Sequence, residues 1–240
     1  MEPSRFGSSA DTQTQQRVHD GLRKYMSSIY GRMAAGVLLT ALTALAVGSS
    51  GPLLGFFMSS PINLIVMFAP LAIVMFGFRP DRMSSGTLQL SFFGISILYG
   101  LSFATIAAVA LSNPAFAMDV ARAFFIATAM FGGLSIMGYT TKKDLSGMRT
   151  FLTMGIWGLV AASVLNYFFP TTTMVSNVIA GVGILLFSGM TVYQTQQMKQ
   201  MYSPNTSPEM ASRLAWAAAL NLYISFIAMF QYVLHFLNQR

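Results

Sequence analysis

Hydrophobic positions in this chain run continuously for about 20 residues at a time instead of alternating, and short polar connections separate the runs. Seven such windows stand out, at 31–50, 61–78, 87–111, 117–139, 148–169, 173–194 and 213–236. A helix needs about 20 mostly apolar residues to cross a bilayer core, so the pattern predicts seven transmembrane helices. The second window, PINLIVMFAPLAIVMFGF, is the shortest. GSSGP and FPTTT carry the Gly, Pro, Ser and Thr of turns. A membrane barrel needs alternating segments of about 10 residues, which continuous runs exclude. Residues 1–28 are polar and lack the apolar core of a signal peptide. They read as a cytoplasmic tail with one amphipathic turn near Val18, Leu22 and Tyr25, and residues 29–240 as the membrane domain.

Composition supports the membrane reading. The chain is 54% hydrophobic and 9% charged, too little charge to coat a water-facing surface when soluble domains carry about 25%. A net charge of +7 raises nucleic acid as a partner, but the basic residues flank apolar runs instead of forming a stripe. Membrane lipid headgroups are the expected counter-charge. Arg5, Arg17, Arg23, Lys24 and Arg32 precede or open the first window; Arg79 and Arg82 follow the second; Lys142, Lys143 and Arg149 follow the fourth; Lys199 and Arg213 lie between the last two. The intervening loops have none, so the positive-inside rule puts the N-terminus in the cytoplasm and the C-terminus outside. With no cysteine, thiolate metal sites and cysteine nucleophiles are excluded.

Helices in lipid associate through small residues and interhelical hydrogen bonds. Gly155, Gly158, Ala162 and Asn166 in the fifth window, Gly181, Ser188, Thr191 and Thr195 in the sixth, and Ala217, Ala218, Asn221, Ser225, Ala228 and Tyr232 in the seventh are expected to face the bundle. Intramembrane charge is the usual mark of function, and it is scarce. Asp119 and Arg122 can pair at i, i+3 as an interfacial anchor. No lysine lies deep in a window for a Schiff base, and the two histidines, His19 and His235, are too few for a catalytic zinc. Gly48-Ser49-Ser50-Gly51 resembles the nucleophile motif of rhomboid proteases, but Ser50 is expected to end a helix instead of opening one, and the motif reads as a loop. Neither enzyme activity, cofactor nor metal is expected.

The blocks IYGRMAAGVLLTAL at 29–42, ARAFFIATAMFGGLSIMGYTTKKDLSGMRTFL at 121–152, VYQTQQMKQMY at 192–202 and LNLYISFIAMFQYVLHFLNQR at 220–240 resemble the bacterial branch of the Bax inhibitor-1 family, with GYTTKKDLS the most specific part. The resemblance implies an all-α, polytopic bundle in which six helices surround a central seventh. It also implies a site: two aspartates on the last two helices share a proton, sense pH and gate a calcium leak, with an arginine on the second helix latching one of them. Here the first aspartate position is Gln194 and the second is Ser225, Ala228 stands where an asparagine is expected, and the second helix has no arginine. Tyr193, Asn221 and Thr191 are the polar residues expected to support the pair. Gln and Ser stay neutral and both donate and accept, so the expectation is a pH-independent tie between helices. Thr195, Gln196, Gln197 and Lys199 read as an ordinary helix exit. Two readings stay open: a leak for calcium or other cations without its acid gate, and a modulator of a membrane protease or stress-response complex. Both place the chain in a bacterial inner membrane.

Overall fold

A computed structural model describes residues 6–169 and 172–239, with side chains described from Gln15 onward. Nine α-helices follow in order: α1 (Phe6–Gly48), α2 (Gly51–Met58), α3 (Ile62–Ala72), α4 (Ser85–Ser102), α5 (Ala104–Ser112), α6 (Pro114–Thr140), α7 (Met148–Phe168), α8 (Thr173–Met201) and α9 (Pro208–Leu237). A π-helical turn, Ile73–Gly77, ends α3. Five single helices are long and apolar enough to cross a membrane, and counting each of two bent pairs as one span gives seven.

The third window is broken, and a second break falls at the start of the second window. Pro70 lies inside α3 and removes a backbone donor, the π turn follows it, and α2 and α3 meet at 75°. α4 and α5 meet at 44° across Phe103, where both pass close to α1. A Cβ on Gly100 would lie 2.5 Å from Thr43 of α1, and one on Gly48 of α1 would lie 2.7 Å from the Ala104 carbonyl. Two bare backbones thus let the bent pair follow α1 at near-contact distance.

The amino-terminal segment is not an irregular tail. α1 has 43 residues, about 64 Å at the helical rise, roughly twice the thickness of a bilayer core. Met26 and Ile29 are buried, and Leu22 and Tyr25 pack against the core, so the amphipathic turn is one stretch of a continuous helix. Val18 stays exposed. GSSGP is likewise mostly helical: only Ser49 and Ser50 separate α1 from α2, because Gly51 and Pro52 open α2 with proline preset for a first turn. Of FPTTT, Pro170 and Thr171 lie outside the described residues.

The last helix is central. In α9, 72% of the most apolar stretch is buried, against 33% or less in the other four single-helix spans. It packs against α1, α4, α6 and α8, and Trp216, Tyr223, Phe226 and Phe230 interlock with rings of α4, α6 and Phe103. The Tyr223 hydroxyl is 2.7 Å from Thr40 Oγ1, which also lies 2.9 Å from the Ser96 carbonyl and 3.0 Å from that of Gly36. One arrangement satisfies all the protons: Tyr223 donates to Thr40, and Thr40 donates to a carbonyl. Three helices are tied by that chain.

Small residues predict facing only in part. Gly155 of α7 packs on Leu186, but Gly158 and Gly181 have open space where a side chain would project. α7 seats itself on α8 through the buried Leu152 and Leu159 instead. Lipid is as apolar as leucine, so an apolar or small face of a membrane helix does not say which side meets protein.

Candidate functional site

One face of α9 departs from its buried surroundings. Asn221, Ser225, Ala228 and Tyr232 follow one another at spacings of four, three and four, with Gln231 beside them, and line a crevice of about 260 Å³. Leu71 of α3 and Tyr99 of α4 form one wall; Leu159 of α7 and Phe187 and Gln194 of α8 form the other. Ser225, 1% exposed, donates from Oγ to Gln194 Oε1 at 3.1 Å. The Gln194 side-chain N–H₂ is left over as a donor. Asn221 and Gln231 are exposed although they sit on the most buried helix, and neither side chain has a hydrogen-bond partner among the described residues. Tyr232 bonds to Ser163 of α7 and stacks on Phe187 with centroids 6.2 Å apart; Gly183 leaves room for its ring.

The structure therefore brings together Gln194, Ser225 and Asn221, and separates them from the other expected residues. Thr191 is fully buried and donates to the Phe187 carbonyl of its own helix. Tyr193 turns to a different cavity, described below. Asp119 and Arg122 pair at 3.2 Å on an exposed stretch of α6 and take no part in the crevice. Ser50 does open a helix, contrary to the sequence expectation: it is the N-cap residue of α2, without a side-chain capping bond. It nevertheless makes no contact with His235, whose Nε2 lies 3.1 Å from Gln239 Nε2. Among the described residues no three His, Cys, Asp or Glu come together to hold a metal ion.

Gln196 was the residue sequence reasoning missed. It is 5% exposed and is no simple helix exit. Its Oε1 accepts from the Leu145 N–H at 3.1 Å, and its Nε2 donates to the carbonyls of Lys143 at 2.7 Å and Thr141 at 3.4 Å. Lys199 donates to the Tyr139 carbonyl at 2.9 Å and lies over the Tyr139 ring. GYTTKKDLS and QTQQMK are thus two halves of one clamp, which is the physical reason both stand out in the sequence. Within the loop, the Ser146 N–H and hydroxyl hold the Asp144 carboxyl below the usual carboxylate range.

The remaining loops with basic residues gather at the same end of the bundle. Arg32 donates to the Ser212 carbonyl at 3.0 Å and lies 4.2 Å above the Trp216 ring. Arg213 donates to the Pro80 carbonyl, and Glu209 accepts from the Ser85 N–H and hydroxyl at 2.8 and 2.9 Å. Tyr202 stacks near Tyr25, with ring centroids 5.6 Å apart.

Comparison with known proteins agrees with this architecture. The chain is 35% identical over 222 residues to protein RP147 of Rickettsia prowazekii, covering 92% of each chain. It is 34% identical to a Caulobacter vibrioides protein, covering 91% of this chain and 90% of the other. It is 32% identical to the inner membrane protein YbhL of Escherichia coli, covering 92% and 93%. The family described as inhibitor of apoptosis-promoting Bax1 matches residues 22–240. A central α9 inside a bundle of five to seven candidate spans, with that match running from residue 22 to the end, makes this chain a member of the Bax inhibitor-1 family.

Proposed function

We propose that this chain is a passive permeation protein of the bacterial inner membrane, a leak for calcium or other cations that runs through the α9 crevice without a proton gate. The observation that carries the reading is the pair of amides, Asn221 and Gln231, without a side-chain partner among the described residues and exposed on the most buried of the long helices. A polar group without a partner at membrane depth is costly, and such groups line water-filled or solute-filled paths. Amide and hydroxyl oxygens can replace part of an ion's hydration shell without binding it tightly. At the narrow part the Gln194–Ser225 bond ties α8 to α9, at about 1 kcal/mol or less for an interhelical bond in a membrane. Neither partner titrates near neutrality. The basic end faces the cytoplasm in this reading.

The test is calcium flux into proteoliposomes across a pH series. Protein-dependent flux that stays level from pH 6 to pH 8 is the expected result. A steep pH dependence abolished by Gln194→Ala, or no protein-dependent flux of any cation, defeats the proposal. One observation favours a second reading. α1 runs on past the membrane as a helix with Val18 exposed and Arg17, Arg23 and Lys24 beside it, a handle that a membrane protease complex can grip. Co-purification of such a complex with the full chain, lost when residues 1–20 are removed, is the outcome that would support it.

A further inference from the structure

We infer that the basic end of the bundle carries an anion site that takes a phosphate group, in the cavity between the start of α7 and the last two turns of α8. The cavity measures about 330 Å³ and is lined by Ser146, Arg149, Tyr193, Gln196, Gln197 and Gln200. Two of these are already engaged: Gln196 holds the 141–145 loop, and the Ser146 hydroxyl bonds Asp144. The other four converge as unclaimed donors. Arg149 has no carboxylate partner among the described residues, and neither Gln197 nor Gln200 has a side-chain partner there.

Tyr193 is the independent sign of a ligand. It is 8% exposed, yet its hydroxyl has no hydrogen-bond partner among the described residues, and the side chain lines this cavity. With the ring nine-tenths buried, the hydroxyl is free to donate into the cavity, where an acceptor can reach it. α7 also begins beside the cavity with no acidic residue in its first turn, its first N–H groups bonding back to the Leu145 and Ser146 carbonyls. A guanidinium, a phenol and two amides make a donor set that suits a multi-acceptor anion, while the nearby Asp144 carboxylate is held by Ser146. α8 ends at Met201, two turns beyond Tyr193, so the cavity lies near the end of a candidate span, within reach of a headgroup phosphate in this reading. The clamp at Gln196 makes it a preformed site.

The source of the phosphate is settled by titrating the purified full chain in detergent at constant ionic strength, reading thermal unfolding. One arm uses inorganic phosphate and the other a soluble short-chain phosphatidic acid, with chloride as the control salt. A saturable rise in Tm in the phosphatidic acid arm alone identifies a lipid headgroup; a rise in both arms, or with inorganic phosphate alone, identifies a free phosphate; all support the site. Arg149→Gln is expected to weaken the apparent affinity about tenfold and Tyr193→Phe about threefold, while Lys142→Gln, which is basic but off the cavity, leaves it within about twofold. Gln200→Ala, at an exposed position, gives a second variant with the fold intact. No saturable shift beyond chloride, equal weakening by Lys142→Gln and Arg149→Gln, or unchanged binding in all three cavity variants overturns the proposal.

Discussion

At the level of single residues, amides do three different jobs within one turn of α8. Gln194 accepts from Ser225 across the helix interface, Gln196 clamps a loop 51 residues away in sequence, and Gln197 lines the cavity beside Arg149. Only the first was legible from the sequence, because family resemblance singles out position 194. Nothing in Gln-Thr-Gln-Gln distinguishes a solvated helix end from a clamp, since the partner carbonyls are supplied by a distant loop. The clamp predicts that Gln196→Ala, which removes the side-chain partner of two carbonyls and one N–H, lowers stability by about 1 kcal/mol, read as a fall in Tm. It also predicts faster tryptic cleavage at Lys142 and Lys143, and cleavage at the native rate would show that the loop holds itself. Restoring acids at the tie gives a second prediction. In the double variant Gln194→Asp with Ser225→Asp, neighbouring carboxylates share one proton at low pH and repel when both ionise. The paired, closed state is therefore present at low pH and lost as pH rises, so leak increases and Tm falls from pH 6 to pH 8. A folded double variant with level flux and level Tm sinks that expectation.

Among whole helices, hydropathy marked the apolar stretches and missed the bends. The window at 87–111 is apolar throughout, and nothing in its composition separates a straight helix from one broken by 44°; the 75° break falls at the leading edge of the 61–78 window. Pro61, at the junction of α2 and α3, was a visible mark of one break; the other arises where α4 and α5 follow α1, a tertiary fact. The reach of α1 was hidden for a different reason: polar composition in residues 6–28 fits an irregular tail and an extended helix equally well until Tyr202 and its neighbours supply a surface to pack on. Close approach, not conformational freedom, explains why Gly138 matters. A Cβ there would lie 2.5 Å from the Val192 carbonyl and 2.9 Å from Thr195 Cβ, so α6 and α8 cross backbone to backbone. Gly138→Val is expected to push them apart and cost about 2 kcal/mol or more. Gly158→Val, at a place with open space, should change Tm little. Equal losses at both sites would show that the crossing is not the constraint.

For the whole molecule, the decisive question is whether water enters the crevice. Four helices, α1, α4, α6 and α8, pack against α9, and the Asn221–Gln231 face is polar and open. If lipid tails filled that opening, two amides would stand without partners in hydrocarbon, at several kcal/mol for the pair. A hydrated crevice removes the cost, so the exposure of these amides is an argument about solvent and not only about shape. The chain has no cysteine, so a single engineered thiol reports without background. Asn221→Cys and Gln231→Cys are expected to react with a charged, membrane-impermeant thiol reagent in proteoliposomes, because thiolate forms only where water reaches. Leu185→Cys, on a face of α8 that is 74% exposed and expected to meet lipid, should stay unlabelled. The sidedness of the reaction then tells which end of the crevice is open, and calcium present in excess should slow labelling at Asn221→Cys if the ion shares the path. Labelling at Leu185→Cys as fast as at Asn221→Cys would mean that the reagent does not discriminate water from lipid. Silence at both crevice positions, with Leu185→Cys also silent and the protein folded, would make the crevice dry and remove the permeation reading with it.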